Sequence, residues 1–258
     1  MIKKFKVENI EMACWINPED FGAHKQTLVF IHGSGSDHTC WVHQYPELHK
    51  KFNVVAVDLP GHGQSGGHGE SEVDKYAHWI KKLLDVIKLP KPVLIGHSLG
   101  AATTLKFALH YPQAAGGIVP VGSGIKMPVN QLLRDGIRTN KEEAINIMCT
   151  FSLFKETRPK FFEELKKNLS DADVESFSAD LTACNNLDLT DDIAKINTPA
   201  LFICGAVDKM TPPDFSRKIA ASIPGAKVCV IEKAGHVVMI EKPEEVNKAI
   251  SEFASSLS

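Results

Sequence analysis

The sequence has no uninterrupted apolar run of about 20 residues, the length that a transmembrane helix requires. Its opening stretch, MIKKFKVENIEMACWI, carries lysines with no continuous apolar segment behind them, so no signal peptide is expected either. The six cysteines (Cys14, Cys40, Cys149, Cys184, Cys204 and Cys229) form no C-x-x-C pair. Cys204 and Cys229 sit inside the apolar runs LFICG and VCVI, where a free thiol behaves as a small hydrophobe. A large excess of one sign of charge is also missing: the formal net charge is −2, which offers no electrostatic footprint for nucleic acid or an anionic membrane. Eight of the eleven histidines fall in the first 80 residues, yet no H-E-x-x-H or other ligand spacing groups them, so no metal is expected. From these absences we expect a soluble, reduced, cytoplasmic protein without a cofactor, with neither nucleic acid nor a membrane as its partner. They leave the oligomeric state open.

What the sequence does have is a series of short apolar runs bounded by Gly, Pro or Asp: TLVFI (27–31), VVAVDL (54–59), PVLIG (92–96), GIVPV (117–121), ALFICG (200–205) and VCVI (228–231). Continuous rather than alternating apolarity suits strands covered on both faces, as in a parallel sheet. Helical patterns lie between most of them. In SEVDKYAHWIKKLLDVIK, Val73, Tyr76, Ala77, Ile80, Leu83, Leu84 and Ile87 recur at threes and fours. At the C-terminal end, Pro243 and two glutamates open a helix whose buried stripe is Val246, Ile250 and Phe253. The opening residues read as one or two strands at an antiparallel edge. The expected class is therefore a doubly wound α/β sheet. The alternation stops between about Met127 and Asn197. Residues 128–192, with eight Lys/Arg and thirteen Asp/Glu, are expected to form a helical cap inserted into a core domain of residues 1–127 and 193–258.

Residues 61–66, GHGQSG, fit the G-x-G-x-x-G form of a dinucleotide loop, but the context does not. Pro60 separates the strand from Gly61, the helical pattern starts only near Ser71, and the nearest acid at the right distance, Asp85, lies within a helix. A better motif follows the next strand. PVLIGHSLGAATTLKFALHYP is strand, then Gly96-His97-Ser98-Leu99-Gly100, then a small-residue helix, the setting that a G-x-S-x-G nucleophile elbow requires. A serine exposed at so sharp a turn takes a strained backbone conformation, costing about 1–3 kcal/mol, and crowds the positions two before and two after it.

With these residues in place the chain resembles the α/β-hydrolase fold family over nearly its whole length, in a serine-nucleophile, carboxylesterase-like branch with a helical cap. His32-Gly33-Ser34-Gly35 looks like the family's oxyanion loop, and Asp58-Leu59-Pro60-Gly61-His62-Gly63-Gln64-Ser65 resembles its D-x-P-G-x-G-x-S turn. The resemblance assigns that turn a shaping role and no phosphate. It also orders the triad as serine, acid, histidine, which points to Ser98, Asp208 after ALFICG, and His236 after VCVIEKA. The other acid position known in the family falls here at Gly122-Ser123-Gly124, which has no carboxylate.

The implied roles are Ser98 as nucleophile, His236 as base and Asp208 as the residue orienting the imidazole, with backbone N–H groups of Ser34 and Leu99 as the oxyanion hole. His32, His97, Phe151 and Phe154 are expected at the substrate, although the phenylalanines suit the cap's own core equally well. His62 is expected to shape a loop.

A serine in this role excludes the aspartate-dependent dehalogenase and epoxide hydrolase branches. An acidic cap is a poor seat for the phosphates of coenzyme A. The expected activity is hydrolysis of a small or medium carboxylic ester or lactone through an acyl-serine. Two alternatives use the same triad: hydrolysis of a carbon–carbon bond in a ring-cleavage product, and a small-molecule receptor that retains the triad.

Overall fold

The computed structural model describes residues 1–17, 21–22 and 25–257. The chain opens on a hairpin of two strands, β1 (Ile2–Val7) and β2 (Ile10–Ile16), followed by β3 (Thr27–Ile31), a short helix α1 (Tyr45–Leu48) and β4 (Asn53–Val57). Helix and strand then alternate: α2 (Val73–Ile87), β5 (Val93–His97), α3 (Leu99–His110) and β6 (Gly117–Val121). Four consecutive helices follow, α4 (Gln131–Thr139), α5 (Lys141–Ser152), α6 (Arg158–Ser170) and α7 (Val174–Asn186). The chain closes with β7 (Leu201–Gly205), α8 (Pro213–Ser222), β8 (Lys227–Ile231), α9 (Val238–Glu241) and α10 (Pro243–Ser255).

One eight-stranded sheet takes the order β1-β2-β4-β3-β5-β6-β7-β8, antiparallel through β1-β2-β4 and parallel from β4 onwards. Every residue of β3, β4, β5, β6 and β7 is buried, as expected for strands covered on both faces. Successive side chains of a strand point to opposite faces, and the core divides accordingly. Leu28 and Phe30 of β3 pack with Val54, Ile95, Ile203 and the α10 residues Val246, Ile250 and Phe253. Val29 and Ile31 face the other way, against Val55, Leu94, Tyr76 and Ile80 of α2, and Leu105 of α3.

Helix α2 buries Val73, Tyr76, Ala77, Ile80, Leu83 and Leu84 of the stripe that the spacing predicts, leaves Ile87 half-buried in its last turn, and ends where Lys88 turns into the left-handed region at φ 54°. Strand β8 departs from the expectation of full burial. It lies at the sheet edge, and Lys227 and Val228 are exposed because only β7 pairs with it. Among the described residues no helix is long and apolar enough to cross a membrane. The six cysteines are unpaired, and Cys229 alone of them is only partly buried.

Phe202 of β7 is completely buried in the layer beneath α8. Phe202→Ala is expected to lower the free energy of unfolding by about 3–5 kcal/mol, read from guanidinium denaturation at unchanged m-value.

Candidate active site

The C-terminal ends of the parallel strands carry the site, because there the backbone leaves the sheet and side chains are free to converge. At the end of β5 the chain reverses into α3 through Ser98, whose φ of 53° and ψ of −111° lie outside the regions open to ordinary residues. Hydrogen bonds on both sides hold this conformation: the Ser98 N–H donates to Val121 O at 2.9 Å, and Ala102 N–H donates to Ser98 O at 3.0 Å. The flanking glycines are dictated by space. A Cβ on Gly96 would stand 2.0 Å from Gly100 O, and one on Gly100 would stand 2.3 Å from Ile31 O.

Asp208 follows β7 and is buried at the base of a turn. Its Oδ1 accepts the N–H groups of Met210 and Thr211 at 2.8 and 2.9 Å, and its Oδ2 accepts Thr211 Oγ1 at 2.7 Å and His236 Nδ1 at 2.8 Å. Burial alone would raise the Asp208 pKa. The facing His236 ring and the donors from Thr211 outweigh it and hold the carboxyl below its usual range. The His236 backbone is tied to the four-helix segment, with its N–H donating to Ser152 O at 2.7 Å. His236 Nε2 is buried and makes no hydrogen bond among the described residues, Ser98 included.

Two further histidines are held neutral by burial. His32 is wholly buried; its Nε2 accepts the Leu59 N–H at 3.0 Å while Nδ1 meets Gly33 O at 2.8 Å, which fixes the Nδ1–H tautomer. Burial, reinforced by His62, lowers its pKa to about 4. His97 donates from Nε2 to His236 O at 3.0 Å, and burial beside His236 lowers its pKa to about 3.

The turn that fits the G-x-G-x-x-G form spends its N–H groups inside the protein. Gln64 N–H donates to Asp58 Oδ2 at 2.9 Å, and Gly61 N–H donates to Gly66 O at 3.0 Å. Asp58 also accepts the backbone N–H and Nδ1 of His38, at 2.8 and 2.7 Å. Together with Asp37 these two form the one set of potential metal ligands found among the described residues. Asp37 caps the turn at Thr39 through the Thr39 N–H and Oγ1, so both carboxylates already serve the loop.

Between the strand ends and the four helices lies a cavity of about 370 Å³. Ser34, His97, Ser98, Phe151 and His236 line it, as do Met127, Met148, Met210 and Met239. Asp208 stands behind His236, and the Leu99 side chain is buried in the core, leaving its backbone at the start of α3. Two residues expected at the substrate are elsewhere. His32 is sealed behind the Gly33-Ser34-Gly35 loop by its bonds to Gly33 and Leu59. Phe154 does not line the cavity, and its N–H donates to Glu241 Oε1 at 2.8 Å. Phe161 is buried in the core, whereas Phe151 is half exposed at the cavity.

Sequence reasoning missed two carboxylates. Glu241 accepts the Gly235 N–H at 2.6 Å beside His236, as well as Phe154 N and Thr157 Oγ1 of the four-helix segment. Asp180, on α7, is completely buried beside Gly35.

The sequence model of the alpha/beta hydrolase family matches residues 28–249, and the chain belongs to that family. It is 28% identical to a 2-hydroxy-6-oxononadienedioate/2-hydroxy-6-oxononatrienedioate hydrolase of Paraburkholderia phymatum, over 92% of this chain and 90% of that one. It is 29% identical to a pimeloyl-[acyl-carrier protein] methyl ester esterase of Edwardsiella ictaluri, over 92% and 96%. The solved structure of a thermophilic esterase superimposes with a TM-score of 0.87 at 29% identity, over 100% of this chain and 98% of that one.

The neutral state of His97 has a measurable consequence. Below about pH 6.5 the unfolded chain protonates this histidine, while the folded protein does not until its own pKa near 3. Protons therefore favour unfolding through this residue across that window. Relative to His97→Gln, the wild type is expected to lose about 1.4 kcal/mol of stability per pH unit from pH 6 to 4, measured by urea denaturation. Parallel pH dependences in the two proteins would refute the assignment.

Proposed function

We propose that the protein is a serine hydrolase acting on a small or medium carboxylic ester or lactone through an acyl-serine intermediate. The observation that carries this reading is the convergence of strained Ser98, Ser34 and His236, backed by Asp208, on one predominantly apolar cavity. Ser98 Oγ attacks the acyl carbon and His236 Nε2 takes its proton. Asp208 holds Nδ1–H of the imidazole toward itself and stabilises the imidazolium that forms. The N–H groups of Ser34 and Leu99 receive the developing oxyanion. Neither donates elsewhere among the described residues, and each such donor is worth about 2.7–4 kcal/mol in the transition state. The N-terminal end of α3 adds its dipole. His236 then protonates the leaving alcohol, and the same nitrogen activates the water that frees the acid.

Residues 128–192 act as a cap that excludes water and selects the substrate. The cavity lining favours an uncharged acyl group: Lys209 is its one charged side chain outside the histidines, and methionines and leucines dominate. The Paraburkholderia phymatum relative acts on a dienedioate, a substrate with two carboxylates. That likeness supports carbon–carbon bond hydrolysis as the second reading, but a single lysine and no arginine in the lining is a poor match for two carboxylates. Unpaired cysteines, five of them buried, suit a reducing cytoplasm.

p-Nitrophenyl esters from acetate to palmitate are expected to be hydrolysed with an optimum at short to medium chain length. Ser98→Ala should lower kcat by about 10⁴-fold or more. Negligible ester turnover, with rapid loss of the visible absorbance of a dienoate, would move the assignment to the carbon–carbon reaction.

A further inference from the structure

The oxyanion loop is held from outside the core. Helix α7 presents Phe177, Asp180, Leu181 and Cys184, a stripe at spacings of three and four, and three of these four meet the loop directly. Gly35 has φ of 64°, and a Cβ there would stand 2.6 Å from the Phe177 ring. Cys184 Sγ lies 3.6 Å from Ser34 Oγ. Asp180 Oδ2 accepts the Gly35 N–H at 2.8 Å.

The same carboxylate gathers the parts of the core around the loop. Oδ2 also meets His62 Nε2 at 2.8 Å, and Oδ1 accepts the Tyr76 hydroxyl from α2. Tyr76 in turn accepts the Glu70 N–H at 2.7 Å. The other ring nitrogen of His62 faces Pro60 O at 3.0 Å. Both nitrogens thus face acceptors, so both carry hydrogen and the ring is an imidazolium. Burial opposes that charge, yet the Asp180 carboxylate overcomes the penalty and raises the His62 pKa. A buried carboxylate with three donors and a fixed counter-charge is a rigid anchor, because losing any partner leaves a charge uncompensated.

From this geometry we propose that Asp180 is a positioning residue of the reaction. By accepting the Gly35 N–H it fixes the Ser34–Gly35 peptide, and so keeps Ser34 and its N–H on the wall of the cavity beside Ser98. The four-helix segment thereby contributes to transition-state stabilisation as well as to substrate selection. The proposal rests on the serine-hydrolase reading above for its kinetic consequence, and on the Asp180–Gly35 bond alone for its structural one.

Two readouts test it: amide hydrogen exchange at Gly35 by NMR, and kcat and KM for the best p-nitrophenyl ester. Asp180→Ala should lower Gly35 protection by about 10-fold or more. It should also reduce kcat by about 10–100-fold while KM changes less than about 3-fold. Asp180→Asn retains an oxygen for Gly35 and should recover most of the Gly35 protection and of kcat, while its lost charge removes the counter-ion of His62 and lowers Tm. Phe161→Ala, in the core of the same segment and away from the cavity, should lower Tm yet leave Gly35 exchange and kcat unchanged.

If Asp180→Ala does not fold, Asp180→Ser, too short to reach Gly35, takes its place with the same expectations. Full Gly35 protection in the alanine or serine protein would overturn the bond. Lost protection with kcat intact, or equal losses of kcat in Asp180→Ala and Phe161→Ala, would overturn the positioning role. If the wild type hydrolyses no ester, the reading of function falls by itself, and Gly35 exchange still decides whether Asp180 holds the loop.

Discussion

The reversal of the chain at Ser98 is the constraint around which the rest of the site is arranged. A non-glycine residue at φ 53° and ψ −111° persists only where its surroundings leave no alternative. Here β5 and α3 meet so closely that neither Gly96 nor Gly100 has room for a Cβ. Burial of β5 between β3 and β6 and the packing of α3 on the sheet supply the stability that offsets the strain. In return the serine hydroxyl is lifted off the strand end toward the cavity, and the first N–H groups of α3 are left without helical partners. The elements that bring Asp208 and His236 to the same edge, β7 and β8, lie on one side of β5, while β3 and its loop lie on the other.

Electrostatics in this region are organised by burial and backbone rather than by many charges. His32, with both ring nitrogens bonded to backbone, and His97, buried beside His236, stay uncharged. His62 is the exception, and its charge is matched within hydrogen-bonding distance by Asp180. Two buried carboxylates, Asp180 and Glu241, connect the four-helix segment to the core, one at Gly35 and one beside Gly235-His236. Such anchors are costly to break, because losing one partner leaves a buried charge uncompensated. The cavity they enclose is rich in methionine, a side chain that adapts to ligands of differing shape.

The strands and the elbow were legible in the chain because their causes are local. Strands covered on both faces must be apolar throughout, and β3, β6 and β7 stand within a residue of the runs TLVFI, GIVPV and ALFICG. The stripe of α2 and the Pro243 start of α10 were visible for the same reason. Where the reasoning fell short, the missing information was which surface covers which. VCVI reads as a buried strand but forms the sheet edge, and Phe154, which reads equally as a pocket or a cap-core residue, does not line the cavity.

Residue identity by itself determined the sheet-and-helix alternation, the glycines demanded by the turn at Ser98, and the positions of the serine, acid and histidine along the chain. Tertiary structure alone decided the charge states of the histidines and the parts taken by Asp180 and Glu241. An aspartate on an amphipathic helix reads as a solvated surface group. Asp180 is buried only because Gly35, 145 positions earlier in the chain, and His62, 118 positions earlier, are brought against it. A polar group's role depends on the partners that replace water around it, and those partners are assembled by packing between segments far apart in the chain.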